Sequence, residues 1–230
     1  MKPSALLTRD FWDIRLTRLL RGWFVKGFIK TYYYRGDETW QHMFWLGRQT
    51  LKAPTDLWVY QEILFEQRPD FIIETGTFKG GSALYLASIC DLIGHGTVIT
   101  IDIQDSGVSH PRIVPVVDPQ GSTAPHVVER VRSLVADKRC FVVLDSTHRP
   151  RHVLDEIHAY ARLVPVGGYL VVEDTCLGGH PVLPSWGPGP YDAVQDFIKE
   201  GTFVVDRSRE KFLLTLHPSG FLRRVREDGR

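Results

Sequence analysis

The sequence predicts an α/β fold: a mostly parallel, seven-stranded sheet, covered on both faces by helices and closed by a C-terminal antiparallel hairpin. Three observations carry this expectation. From about residue 55, short apolar runs alternate with stretches of helical periodicity, the pattern of a parallel sheet with crossover helices. The runs are continuously apolar rather than alternating, as suits strands buried on both faces. The last two, residues 203–206 and 211–216, are joined too tightly for a crossover helix, so they should pair as a hairpin.

The elements follow in order. In residues 1–30, Leu7, Phe11, Ile14, Leu16, Leu19, Leu20 and Trp23 recur at three- and four-residue steps, which predicts a helix with a basic opposite face. Seven Lys and Arg stand there against Asp10 and Asp13. This segment therefore carries +5 and the remaining 200 residues −4, within a chain total of +1. Charges inside the run exclude a signal peptide. A helix packed on the main domain is the plainer reading; a membrane-surface helix and a dimer contact are the alternatives. Residues 31–55 gather Tyr32, Tyr33, Tyr34, Trp40, Phe44 and Trp45, which fill a core or line a pocket. Asp56 is placed to cap a helix that ends before Pro69. Strands are expected at 71–73, 97–101, 112–117, 140–144 and 168–172, with helices at 83–89, 124–136, 151–163 and up to about 199. Arg223, Arg224 and Arg226 read as a solvated basic tail.

With 230 residues, the chain has room for one domain and an extension. The expected division is an extension over 1–50 and the main domain over 51–230. The near-neutral total argues against a nucleic-acid-coating protein. No run of 18 apolar residues exists to cross a membrane. Cys90, Cys140 and Cys176 are too few and too odd for a disulfide framework, which suggests a reducing, cytoplasmic setting.

In a parallel sheet the carboxyl ends of the strands share one edge, where ligands bind. Glu74, Asp102, Asp145 and the pair Glu173/Asp174 all close predicted strands, so one acidic edge is expected. The alternative is that such acids only mark where strands meet water. The first strand–helix turn reads Glu74-Thr75-Gly76-Thr77-Phe78-Lys79-Gly80-Gly81-Ser82. It matches neither the dinucleotide pattern G-x-G-x-x-G nor a P-loop. An acid ahead of the glycine suits a cationic ligand better than a polyphosphate. S-adenosylmethionine fits, with Asp102 accepting hydrogen bonds from its ribose diol.

At this point the sequence resembles the cephalosporin hydroxylase and rhamnosyl O-methyltransferase family. The matching stretches begin with Trp45-Leu46-Gly47, Lys52-Ala53-Pro54-Thr55-Asp56-Leu57 and Arg68 through Thr77. Gly80-Gly81-Ser82-Ala83, Asp145-Ser146-Thr147-His148 and Val171-Val172-Glu173-Asp174-Thr175 complete them. The resemblance covers roughly residues 40–217. It implies a Rossmann-like class I methyltransferase fold and a divalent metal, usually Mg2+, on Asp145, Glu173 and Asp174. It also implies O-methylation of a sugar or other polyhydroxylated molecule, in natural products or cell-surface glycans.

The residue chemistry agrees with that. Mg2+ favours a few carboxylates and keeps positions open for other oxygens. No Cys/His spacing suits zinc. S-adenosylmethionine is expected on Glu74, Gly76, Thr77, Gly80, Ser82, Asp102, Gly121, Ser122 and Asp145. Ser122 has an equal alternative as a helix cap. A sugar hydroxyl needs a base, and His148 or Asp145 is placed to serve; His148 is otherwise a helix-start or supporting residue. The loop from 176 to 191 is a candidate substrate lid, and Cys176 is a bystander. The expected partner is a hydroxylated, glycosidic small molecule rather than nucleic acid, and a homo-oligomer is expected. Rival readings are a hydroxylase partner subunit on the same scaffold, or a non-catalytic ligand-binding module docked through its basic N-terminus.

Overall fold

The structure, a computed structural model, describes the backbone of residues 3–227 and the side chains of residues 16–227. A long helix, α1 (Pro3–Tyr34), is followed by a small ribbon of β1 (Phe44–Trp45) and β2 (Arg48–Gln49). Then come α2 (Pro54–Gln67), β3 (Phe71–Thr75), α3 (Gly81–Ile93), β4 (Thr97–Asp102), β5 (Ile113–Val117) and α4 (Pro125–Val135). The chain continues through β6 (Cys140–Leu144), α5 (Pro150–Tyr160), β7 (Tyr169–Val172), α6 (Pro190–Phe197), β8 (Phe203–Val205) and β9 (Phe221–Arg224). Helices α2, α4, α5 and α6 each begin on a proline, whose fixed φ and missing N–H suit the first helical turn.

The main sheet runs β5-β4-β3-β6-β7-β9-β8. The first five strands are parallel, and β9 pairs antiparallel with both β7 and β8. The sheet is buried on both faces. Ile72, Phe141 and Val143 pack under α2 and α3; Ile73, Val142 and Leu144 pack under α4, α5 and α6. A third apolar cluster joins Ile29 of α1 to Leu177, Val182 and Leu216. No helix among the described residues is long and apolar enough to cross a membrane.

Three expectations are corrected. The hairpin exists, but its second strand is Phe221–Arg224, not 211–216. Residues 215–217 instead lie buried near the strand ends, tied there by Asp56, whose Oδ2 accepts from Leu216 N at 2.9 Å. Asp56 therefore does not cap α2, whose cap position is Ala53. The basic tail is in part a sheet strand. Arg224 is buried and donates to the carbonyl oxygens of Val164 and Arg162 at 2.6 and 3.2 Å.

Candidate active site

The turn from β3 into α3 is shaped by close backbone approach. A Cβ on Gly76 would lie 2.0 Å from the carbonyl oxygen of Asp145, and Gly76 has φ +86°. A Cβ on Gly81 would lie 2.2 Å from Gln49 O. Only glycine fits either place. The compacted turn borders a cavity of about 560 Å3 at the carboxyl ends of the strands. Gly76, Thr77, Ser82, Asp102, Gly121, Ser122, Asp145, His148 and Asp174 all line it. Asp102 holds the turn from the next strand: its two oxygens accept from Phe78 N at 2.8 Å and Gln104 N at 3.1 Å.

At the other side of this cavity the acids are organised around a buried cation. Lys52 is 2% exposed, and its ammonium lies 2.6 Å from both Asp145 Oδ2 and Glu173 Oε2. Burial alone would lower the Lys52 pKa, but Asp145, Glu173 and Glu74 raise it, so the ammonium stays charged. The second oxygen of Glu173 accepts from Tyr60 OH at 2.7 Å. Asp174, beside it, has φ +53°, and its N–H donates to Nδ1 of buried His217 at 2.9 Å. That bond fixes His217 as the tautomer protonated on Nε2. The turn aims Asp174 away from Glu173 and toward His148, whose Nε2 is 3.5 Å from Asp174 Oδ2. Burial, then the charge of Glu173, raises the carboxyl pKa of Asp145; burial also raises that of Asp174. One ligand atom from each of Asp145, His148 and Asp174 lies within 4.8 Å of the others, the spacing of a metal site.

Most expected residues meet here, and three do not. Glu74 is fully buried beneath the cavity, where Oε2 accepts from Thr100 Oγ1 at 2.6 Å. Desolvation pushes its pKa up to about 7. Gly80 shapes the turn against Val108 but does not reach the cavity. Glu173 is not part of the metal-spaced group; Lys52 and Tyr60 each bond one of its oxygens. Ser122 reaches the cavity but caps no helix; it donates to Glu156, which also accepts from Ser146 at 2.7 Å. Lys52, Tyr60, Glu156 and His217 were not singled out from the sequence. Lys52 lies in the Lys52–Leu57 stretch of the family resemblance, but 93 residues separate it from Asp145.

The loop after Asp174 packs inward. Leu177 lines the cavity, and Trp186 sits with its ring centroid 6.3 Å from that of His148. Tyr33 and Trp40 line the same cavity. Cys176 is buried, and burial raises its thiol pKa well above the usual value, so it is inert.

The family model for Rhamnosyl O-methyltransferase/CmcI matches residues 37–225. A rhamnosyl O-methyltransferase of Mycobacterium leprae (strain TN) is 40% identical over 200 residues, covering 83% of this chain and 86% of that protein. One from Mycobacterium tuberculosis (strain ATCC 25618 / H37Rv) is 39% identical over 201 residues, covering 83% and 81%. Among solved structures, CmcI in an Mg–SAM form has a TM-score of 0.62 at 21% identity, covering 81% of this chain and 78% of that one. MycE methyltransferase, in complex with Mg, SAH and mycinamycin VI, has a TM-score of 0.53 at 20% identity, covering 74% and 49%. At these identities the structural likeness speaks for the fold.

Proposed function

The chain belongs to the Rhamnosyl O-methyltransferase/CmcI family, and we propose that it transfers the methyl group of S-adenosylmethionine to a sugar hydroxyl with the help of Mg2+. The observation that carries this reading is a shared cavity: the glycine turn with Asp102 and the metal-spaced group of Asp145, His148 and Asp174 line the same space. The rhamnosyl O-methyltransferase relatives support a glycosidic acceptor.

The residues fit both groups. The absent Cβ at Gly76 lets a ligand lie against the backbone, and Asp102 offers a carboxylate on the cavity wall to a ribose diol. Thr77, Ser82, Gly121 and Ser122 complete that end. At the other end, Asp145 and Asp174 offer the oxygen donors a hard cation prefers. That preference leaves the His148 imidazole for proton work. Bound there, Mg2+ supplies Lewis-acid polarisation of an acceptor oxygen. His148 accepts the acceptor's hydroxyl proton, and Asp174 Oδ2 orients its ring. Lys52 offsets the charge of Asp145 and Glu173 and keeps the two strand ends together. Trp186 and Leu177 shield the reacting end from water.

The transferase domain is assigned to residues 51–230, with 1–50 as an extension. Support comes from the two sheet cores, whose buried residues all fall between Leu57 and Leu222. The test is labelled methyl transfer from S-adenosylmethionine to a panel of rhamnosides and other glycosides, with Mg2+ and after chelation. Transfer that needs the metal supports the reading; transfer to none, or transfer that ignores the chelator, contradicts it.

A further inference from the structure

We infer that α1 docks this protein on an anionic phospholipid bilayer. The inference rests on the outward face of the helix, independently of the reaction. Val25 and Ile29 turn inward to the apolar cluster with Leu177 and Val182. The opposite face is left uncovered: Leu16, Leu19, Trp23, Phe24 and Phe28 are 55, 80, 73, 54 and 48% exposed. Leu16, Leu19 and Trp23 follow three- and four-residue steps, so they form one stripe along the helix.

Charge decides what covers that stripe. Between Asp13 and Asp37 the sequence holds six Lys and Arg and no acid. Lys26 and Lys30 stand three and seven residues beyond Trp23, beside the stripe; Arg18, Arg21 and Lys26 border a cleft of about 590 Å3 toward the domain, where Arg207 is paired with Glu210 at 2.9 Å. A second copy laid along this helix would bring like charges together without counter-charge. An anionic bilayer offers the opposite charge at its surface and an acyl boundary just beneath it. Exposed Leu, Phe and Trp with Lys26 and Lys30 beside them suit a helix lying in that interface. A single apolar stripe anchors weakly, and the basic flank is the second attraction a stable association needs. The C-terminal end of α1 meets the active site: Tyr33 lines its cavity, and Tyr34 OH accepts from Leu183 N at 3.0 Å. Docking would therefore hold the cavity near the membrane surface.

The test is flotation of the full chain with vesicles of phosphatidylcholine alone and of phosphatidylcholine with phosphatidylglycerol. Size and melting temperature are measured alongside. The expected result is partition at least tenfold stronger onto the anionic vesicles, lost at about 0.5 M salt. It should also be lost in Leu19→Glu/Trp23→Glu and weakened in Lys26→Glu/Lys30→Glu, with melting temperatures near the wild-type value. Equal or absent partition onto both vesicles by the wild-type chain would overturn the inference. So would a Leu19→Glu/Trp23→Glu variant that still partitions as the wild type does. A wild-type dimer that ignores vesicles and becomes a monomer in that variant would assign the stripe to a second copy instead.

Discussion

The ammonium of Lys52 lies 2.6 Å from Oδ2 of Asp145, across 93 residues of sequence. The same nitrogen holds Glu173, so one buried cation ties the end of β6 to the end of β7. Removing it leaves two acids facing each other with no counter-charge. Lys52→Met is expected to lower stability by about 3–5 kcal/mol in metal-free buffer. Urea unfolding with and without Mg2+ checks this. Mg2+ should restore more stability to the variant than it adds to the wild type; an equal gain in both would show that lysine and metal serve different acids.

Glu74 is a buried acid whose pKa burial raises to about 7, from an ordinary value of 4.5. Its folded form therefore binds a proton more tightly than the unfolded chain does. The sign follows: this side chain's contribution falls as pH rises from about 4.5 to 7, by up to about 3 kcal/mol. Glu74→Gln keeps a side chain that can accept from Thr100 and removes the titration. The stability difference between variant and wild type, followed from pH 5 to pH 8, should grow in favour of the variant. A constant difference would remove Glu74 as the source.

His148 stands beside Asp174 Oδ2 in the cavity and is assigned the acceptor's proton. His148→Ala is expected to lower kcat by about 10²–10⁴-fold. Binding of S-adenosylmethionine should stay within about twofold, since the glycine turn and Asp102 are untouched. Loss of binding with unchanged kcat in the remaining complex would give His148 a different role.

Gly76 has both a positive φ and no room for a Cβ beside the Asp145 carbonyl. Gly76→Ala is expected to cost at least about 3 kcal/mol, from backbone strain and overpacking together. Thermal melting would show it. A variant as stable as the wild type would mean that the turn and the end of β6 can move apart.

The order of these elements was legible because buried strands write themselves as apolar runs. The acidic edge was legible for the same reason: each run stops where an acid begins. Strand β9 was not. Residues 211–216 are the more apolar candidate, while the true strand ends in Arg223 and Arg224. Arg224 is tolerated inside because the carbonyls of Arg162 and Val164 receive it, a match no local pattern announces. The inner architecture of the site was hidden likewise. That Glu173 is engaged by Lys52 and Tyr60, and that Asp174 turns away toward His148, depends on contacts between distant segments. Single residue types at strand ends could name the acids, but not divide their work.

The central claim is that the glycine turn and Asp102 hold S-adenosylmethionine in the cavity that the acid cluster shares. Calorimetric titration of S-adenosylmethionine into the wild-type chain and into Asp102→Asn tests it most directly. Saturable binding at one site is expected, weakened about 10–100-fold in the variant by loss of a charged hydrogen-bond acceptor. No binding by the wild-type chain, or equal binding by both proteins, would contradict it.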